Sequence, residues 1–174
     1  MPSHVITLTV NDRSVELLAA PGTTLLTALR DTLGLTAAKR GCAQGSCGSC
    51  TVLINDNPAV ACLVPVETVE SDTVRTLEGV GGQGELDDVQ AAMLEGFAAQ
   101  CGFCTPGMIM AAEALLDANP DPTEEDVAVA ISGNVCRCTG YASIVRAVLD
   151  AARRRRDRGR AVEPASVGTE GDRK

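Results

Sequence analysis

The sequence has no tryptophan, one tyrosine, two phenylalanines and a single histidine in 174 residues. With only Phe97, Phe103 and Tyr141 as rings, a core built on aromatic packing is excluded, and aliphatic and small side chains have to fill the interior. The one histidine, His4, lies in a strand-like run, which leaves no nucleophile–base pair of the kind that covalent catalysis needs. No apolar run approaches the roughly 18 residues that a membrane span requires. The amino terminus, Met1-Pro2-Ser3-His4-Val5, lacks the basic and apolar regions of a secretory signal, so the expectation is a cytoplasmic chain with reduced thiols. The formal net charge is −8, which argues against nucleic acid as a general partner. Length allows one domain or two small ones, and two small ones would be marginal on apolar burial alone.

Cysteine is the residue that is present in quantity: eight of them, about 5% of the chain. That lies below the roughly 8–10% of disulfide scaffolds, and in a reducing compartment spaced cysteines bind metal or do chemistry.

Residues 5–18 alternate apolar and polar around Asn11-Asp12, which predicts a β-hairpin. Thr23 or Thr24 caps a short helix through Leu25, Leu26 and Leu29 that ends near Gly34. Thr51 to Ile54 and Ala59 to Val64, separated by Asn55-Asp56-Asn57-Pro58, read as a second hairpin, and Thr73 to Leu77 as a further strand. After Glu78 comes Gly79-Val80-Gly81-Gly82-Gln83-Gly84, which lacks the strand, helix and Lys-Ser/Thr of a phosphate loop and reads as a linker. Beyond it the period becomes helical: Asp87 to Ala99, a helix entered at Thr105-Pro106 and closed by Asn119-Pro120, one opened by the Thr123 capping box, and one carrying Tyr141, Ile144, Val145 and Val148. The predicted organisation is a first domain over 1–78, a linker over 79–86, a helical domain over 87–156 and a disordered tail over 157–174. The basic run Arg153 to Arg160 reads as the solvated end of the last helix, with a binding patch as the alternative.

The cysteines fall into two quartets, one per half. Cys42, Cys47 and Cys50 give C-x4-C-x2-C, and Cys62 follows after eleven residues, the plant-type spacing for a [2Fe–2S] cluster. Two edge-sharing iron tetrahedra need three thiolates from a tight loop and a fourth from a nearby strand, and Gly41, Gly45 and Gly48 let that loop curl. The second quartet is the C-x2-C of Cys101 and Cys104 with the C-x-C of Cys136 and Cys138, each pair entering a helix. Spacing alone leaves this quartet open between an iron–sulfur cluster and a four-cysteine zinc site.

Four segments carry a resemblance. Gly41 to Cys50, Ala61-Cys62-Leu63, Gln100 to Met108 and Gly133 to Tyr141 resemble the iron–sulfur small subunit of the molybdenum hydroxylases, the xanthine dehydrogenase, aldehyde oxidoreductase and carbon monoxide dehydrogenase type, over about residues 4 to 152. Departures are small: Ala37-Ala38 before Lys39, Ser46 and Val135. The resemblance implies an α+β chain, a plant-type ferredoxin-like β-grasp domain followed by a four-helix-bundle domain, each with a [2Fe–2S] cluster. It further implies a large subunit with molybdenum on a pyranopterin, as the cytosine dinucleotide, that hydroxylates carbon with water. A medium subunit holds FAD, and the assembly is a dimer of heterotrimers. By the same resemblance Cys101, Cys104, Cys136 and Cys138 ligate the cluster nearer molybdenum, Cys42, Cys47, Cys50 and Cys62 the one nearer flavin, and Gln100 and Cys138 touch the pterin. The expected role is electron transfer with no substrate site on this chain; the alternative is a free-standing [2Fe–2S] carrier or sensor.

Overall fold

The computed structural model describes residues 3–82 and 84–162, with side chains through Gly159. The first half is a five-stranded mixed sheet of order β2-β1-β5-β3-β4. Strands β1 (His4–Val10) and β2 (Arg13–Ala19) are antiparallel neighbours joined by Asn11-Asp12, whose φ values of 48° and 62° are the paired left-handed conformations of a two-residue hairpin turn. Strands β3 (Thr51–Ile54) and β4 (Asn57–Val60) repeat the device at Asn55-Asp56, with φ 48° and 63°. This second turn is tighter than the four-residue turn expected, and it brings Asn57 and Pro58 into β4. The proline is accommodated because β4 is the sheet's edge, where no ladder partner needs its missing N–H. Strand β5 (Thr73–Arg75) runs parallel to β1 and antiparallel to β3; it stops earlier than expected because a 3-10 turn takes over at Leu77–Gly79.

Alternation decides which face is buried. Ile6, Leu8 and Val10 of β1 pack with Leu17, Val52 and Val74 beneath Leu25, Leu26 and Leu29. Those leucines come from α1 (Leu25–Thr27) and the wide π-type turn Ala28–Thr32, and Thr24 caps the start by accepting from the Thr27 N–H at 3.2 Å.

Four helices form the second half: α2 (Asp88–Glu95), α3 (Thr105–Ala118), α4 (Glu124–Ala130) and α5 (Ala142–Val162). They share a core of Val89, Met93, Met108, Ala112, Val127, Ile144 and Val148. Reciprocal capping boxes start α2 (Asp87 with Gln90) and α4 (Thr123 with Asp126). Helix α3 is capped at Cys104 rather than Thr105. Helix α2 is shorter than the predicted Asp87–Ala99 because Phe97 turns left-handed at φ 49°. There the Ala98 N–H donates to the Met93 carbonyl at 2.9 Å and the Phe97 N–H to that of Leu94 at 3.2 Å, the two bonds of a Schellman stop.

The boundary expected near 156 is corrected by α5, which continues to Val162. Its arginines are not a free solvated face: Arg154, Arg155, Arg156 and Arg158 meet acids outside α5, while Arg153 pairs with Asp150 of α5 itself. Arg155 Nη2 lies 2.7 Å from both Asp87 Oδ2 and Glu113 Oε1, Arg154 reaches Glu95 at 2.6 Å, and Arg158 pairs with Asp88. Residues 163–174, expected to be disordered, lie outside the described residues. No described helix is long and apolar enough to cross a membrane.

Candidate metal centres

All eight cysteines are free thiols, and the fold brings each one near another of its own quartet. In the first half, Cys42 and Cys47 sit on the loop before β3, Cys50 is the residue that enters β3, and Cys62 follows β4. The β3–β4 register pairs Thr51 with Val60 and continues one step further, where the Ala61 N–H donates to the Cys50 carbonyl at 3.2 Å. The hairpin therefore delivers the fourth thiol beside the third. The side chains of Cys42 and Cys47 are close enough to influence each other's ionisation, and so are those of Cys50 and Cys62.

The second quartet has the same two-by-two arrangement. Cys138 Sγ lies 3.7 Å from Cys101 Sγ, and the side chains of Cys104 and Cys136 are close enough to influence each other's ionisation. A [2Fe–2S] cluster asks for two thiolates at each of two irons, and the pairs in both halves fit that donor set.

Local electrostatics prepare some thiols for deprotonation and oppose others. The Gln44 N–H and the Ser46 side chain lower the Cys42 pKa from 9.0 to about 6. Burial works against Cys136, yet the Thr139 hydroxyl, 3.1 Å from its sulfur, and the N–H groups of Thr139 and Cys138 win and lower it to about 7. Burial pushes Cys50 up to about 11 and Cys104 up to about 12. Each quartet thus joins a ready thiolate to a buried thiol whose proton metal binding has to displace.

The eight thiols are visible in the sequence by their spacing; the residues that shape the second loop are not. Tyr141, expected only as an apolar helix residue, accepts the Cys136 N–H at its hydroxyl oxygen, 2.8 Å away, and is itself left-handed at φ 69°. Asn134, expected only as a helix stop, is 5% exposed and reaches across to the other half. Its Nδ2 donates to the Gly48 carbonyl at 2.9 Å and to Thr51 Oγ1 at 3.2 Å, while the Val135 N–H donates to the Cys47 carbonyl at 2.9 Å. The loops of the two quartets are therefore joined main chain to main chain. Glycine is required here. A Cβ on Gly48, which sits at φ +67°, would collide with the Gly133 carbonyl, and one on Gly107 with the Gly48 carbonyl. Gln100 is exposed immediately before Cys101, and Cys101 and Cys138 are the exposed members of their quartet. One cleft, of about 230 Å³, lies beside the hairpin turns and is lined by Thr9, Asn11, Asp56 and Arg75.

Comparison with known proteins agrees with this geometry. A model described as a 2Fe-2S iron–sulfur cluster binding domain matches residues 8–78, and one described as a [2Fe-2S] binding domain matches residues 76–149. The chain is 47% identical to the nicotinate dehydrogenase small FeS subunit of Eubacterium barkeri over 148 residues, 85% of this chain and 94% of that one. It superposes on the structure of quinoline 2-oxidoreductase from Pseudomonas putida 86 with a TM-score of 0.87 at 39% identity, covering 91% of this chain and 99% of that chain. In the aldehyde oxidoreductase of Desulfovibrio desulfuricans ATCC 27774 the match has a TM-score of 0.85 at 44% identity, and covers 90% of this chain but 17% of that longer polypeptide. With its two thiol quartets, its fold and these relatives, the chain belongs to the two-cluster iron–sulfur small subunits of the molybdenum hydroxylases and is an electron-transfer subunit of a multi-subunit oxidoreductase.

Proposed function

We propose that this chain conducts electrons from a molybdenum-pterin site on a large subunit to FAD on a medium subunit, inside a cytoplasmic dimer of heterotrimers. The observations that support this best are the approach of Cys101 and Cys138 to 3.7 Å and the hydrogen bond that joins the two quartet loops. We read the first half, 1–78, as a ferredoxin-like β-grasp domain, 79–86 as the linker, and the four helices from residue 87 as a four-helix-bundle domain. Cys42, Cys47, Cys50 and Cys62 would hold the cluster nearer FAD; Cys101, Cys104, Cys136 and Cys138 the one nearer molybdenum. When bound, each cluster supplies a site that takes up and gives back one electron. The chain's own residues do the rest. N–H and hydroxyl groups at Cys42 and Cys136 stabilise negative sulfur, burial of Cys50 and half-burial of Cys104 limit the access of water, and exposed Gln100 and Cys138 would touch the pterin, here with a cytosine dinucleotide.

The test uses the native complex. Cys104→Ser should abolish the EPR signal of the second cluster and stop flavin reduction by substrate, while the first cluster's signal remains. Two unchanged signals would sink the ligand assignment. Wild-type chain that carries zinc, or that elutes without molybdenum and flavin polypeptides, would overturn the proposed role.

A further inference from the structure

The ring of Phe97 is 82% exposed, the largest such value among the exposed apolar residues of the fold, and it occupies a backbone position that rejects it. At φ 49° it fills the left-handed site of the Schellman stop after α2, the place where glycine normally sits. No described packing is gained in return for this conformation, so the strain has no explanation inside the chain. Strained residues with exposed apolar groups are where an outward-facing role is expected.

The surroundings point the same way. A chain that is 22% charged carries no Asp, Glu, Lys, Arg or His between residues 96 and 112, and only Arg137 between 127 and 145. These two stretches hold the second quartet. They also expose Phe103 (48%) and Val135 (53%) around the exposed Cys101 and Cys138. Depletion of charge, exposed aromatics and one arginine make the composition of an interface centre. The first quartet's rim is more polar: it exposes one large apolar residue, Leu63 (58%), but no aromatic, among Arg40, Gly41, Ala43, Gln44 and Ser46. In the Desulfovibrio aldehyde oxidoreductase the matching module is 17% of one polypeptide, so the rest of that protein is tethered to it covalently. The nicotinate dehydrogenase small FeS subunit of Eubacterium barkeri, 94% of which this chain spans, is a separate subunit, for which the equivalent attachment is made by contact.

We propose that Phe97 is the anchor of a permanent interface, held left-handed so that its ring projects into an apolar pocket of the molybdenum-pterin subunit beside the Gln100–Cys101 edge. The proposal rests on the functional reading above. It is specific about one residue, and its signature is a conflict between folding and assembly: the fold would prefer a residue that tolerates the left-handed site, and the complex needs the ring.

Phe97→Gly, and Phe97→Asn as a second residue that tolerates this backbone, are made in the full chain and co-expressed with its partner polypeptides. Expected is a higher unfolding temperature for the free chain, unchanged iron and sulfide per chain, and about tenfold or greater weakening of binding to the molybdenum polypeptide. Unaltered binding would overturn the anchor role, as would loss of chain stability and binding together, which is how a merely structural residue behaves. If the wild-type chain itself captures no molybdenum polypeptide, the functional reading fails as well, and that outcome is read without any variant.

Discussion

Tyr141 accepts the Cys136 N–H through its hydroxyl, and that one bond fixes the entry of the second quartet's last loop. Tyr141→Phe leaves the donor without a partner in a half-buried place, at a cost of about 1–3 kcal/mol. The expected outcome is a second cluster that is lost faster in a chelator challenge, with the first cluster's loss unchanged; equal loss from both halves would count against a local role. The sequence showed Tyr141 only as an apolar position at helical spacing. Its hydroxyl's target was illegible because the contact depends on a left-handed φ of 69° that aromatic residues seldom adopt. The thiols were legible for the opposite reason: their grouping follows from spacings of a few residues, whereas a side-chain bond that closes a loop follows from backbone conformation. At Phe97 the same unusual conformation costs about 1–2 kcal/mol.

At the scale of elements, the arginine-rich end of α5 is a latch across α2 and α3. Glu113 is 3% exposed at the centre of it, and burial, opposed by Arg155, raises its pKa from 4.5 to about 7. Between about pH 4.5 and about pH 7 the folded chain retains a proton that the unfolded chain has released, so this group's contribution to stability falls as pH rises through that window and then levels off. Glu113→Gln should remove that slope from the pH dependence of thermal unfolding; an unchanged slope would show that Glu113 does not titrate there. Arg155→Leu, by leaving the buried carboxyl without its cation, should cost about 3 kcal/mol or more, and most at the alkaline side of the window. A run of arginines read alone is a solvated helix end. What the sequence could not display is that Asp87, Asp88, Glu95 and Glu113, distant in the chain, converge on it. Hairpins and capping boxes were legible because each is decided by neighbours: Asn-Asp for the turns, Thr123 with Asp126 for α4.

At the scale of the molecule, the two halves meet through Asn134, the Val135 N–H and the Arg75–Asp117 ion pair at 2.7 Å. The Asn134 side chain contributes bonds to both Gly48 and Thr51, yet the Gly48 carbonyl keeps a second donor in Thr51 Oγ1 at 2.7 Å. Asn134→Ala should therefore cost only about 1 kcal/mol and leave iron content intact, while the magnetic splitting between the two reduced clusters changes as the loops shift. An identical splitting would mean that the Val135 bond alone sets their separation. The spacing of the quartets within each half was readable from sequence; their separation across halves was not, because a residue next to Cys136 and one next to Cys47 are far apart in the chain and share no pattern. That separation is set by main-chain atoms and by two glycines that admit no side chain. A gap fixed in this way is indifferent to drift elsewhere: surface residues can be exchanged to suit new partners while the transit time between clusters stays the same, which makes the chain an interchangeable part for enzymes of different substrates.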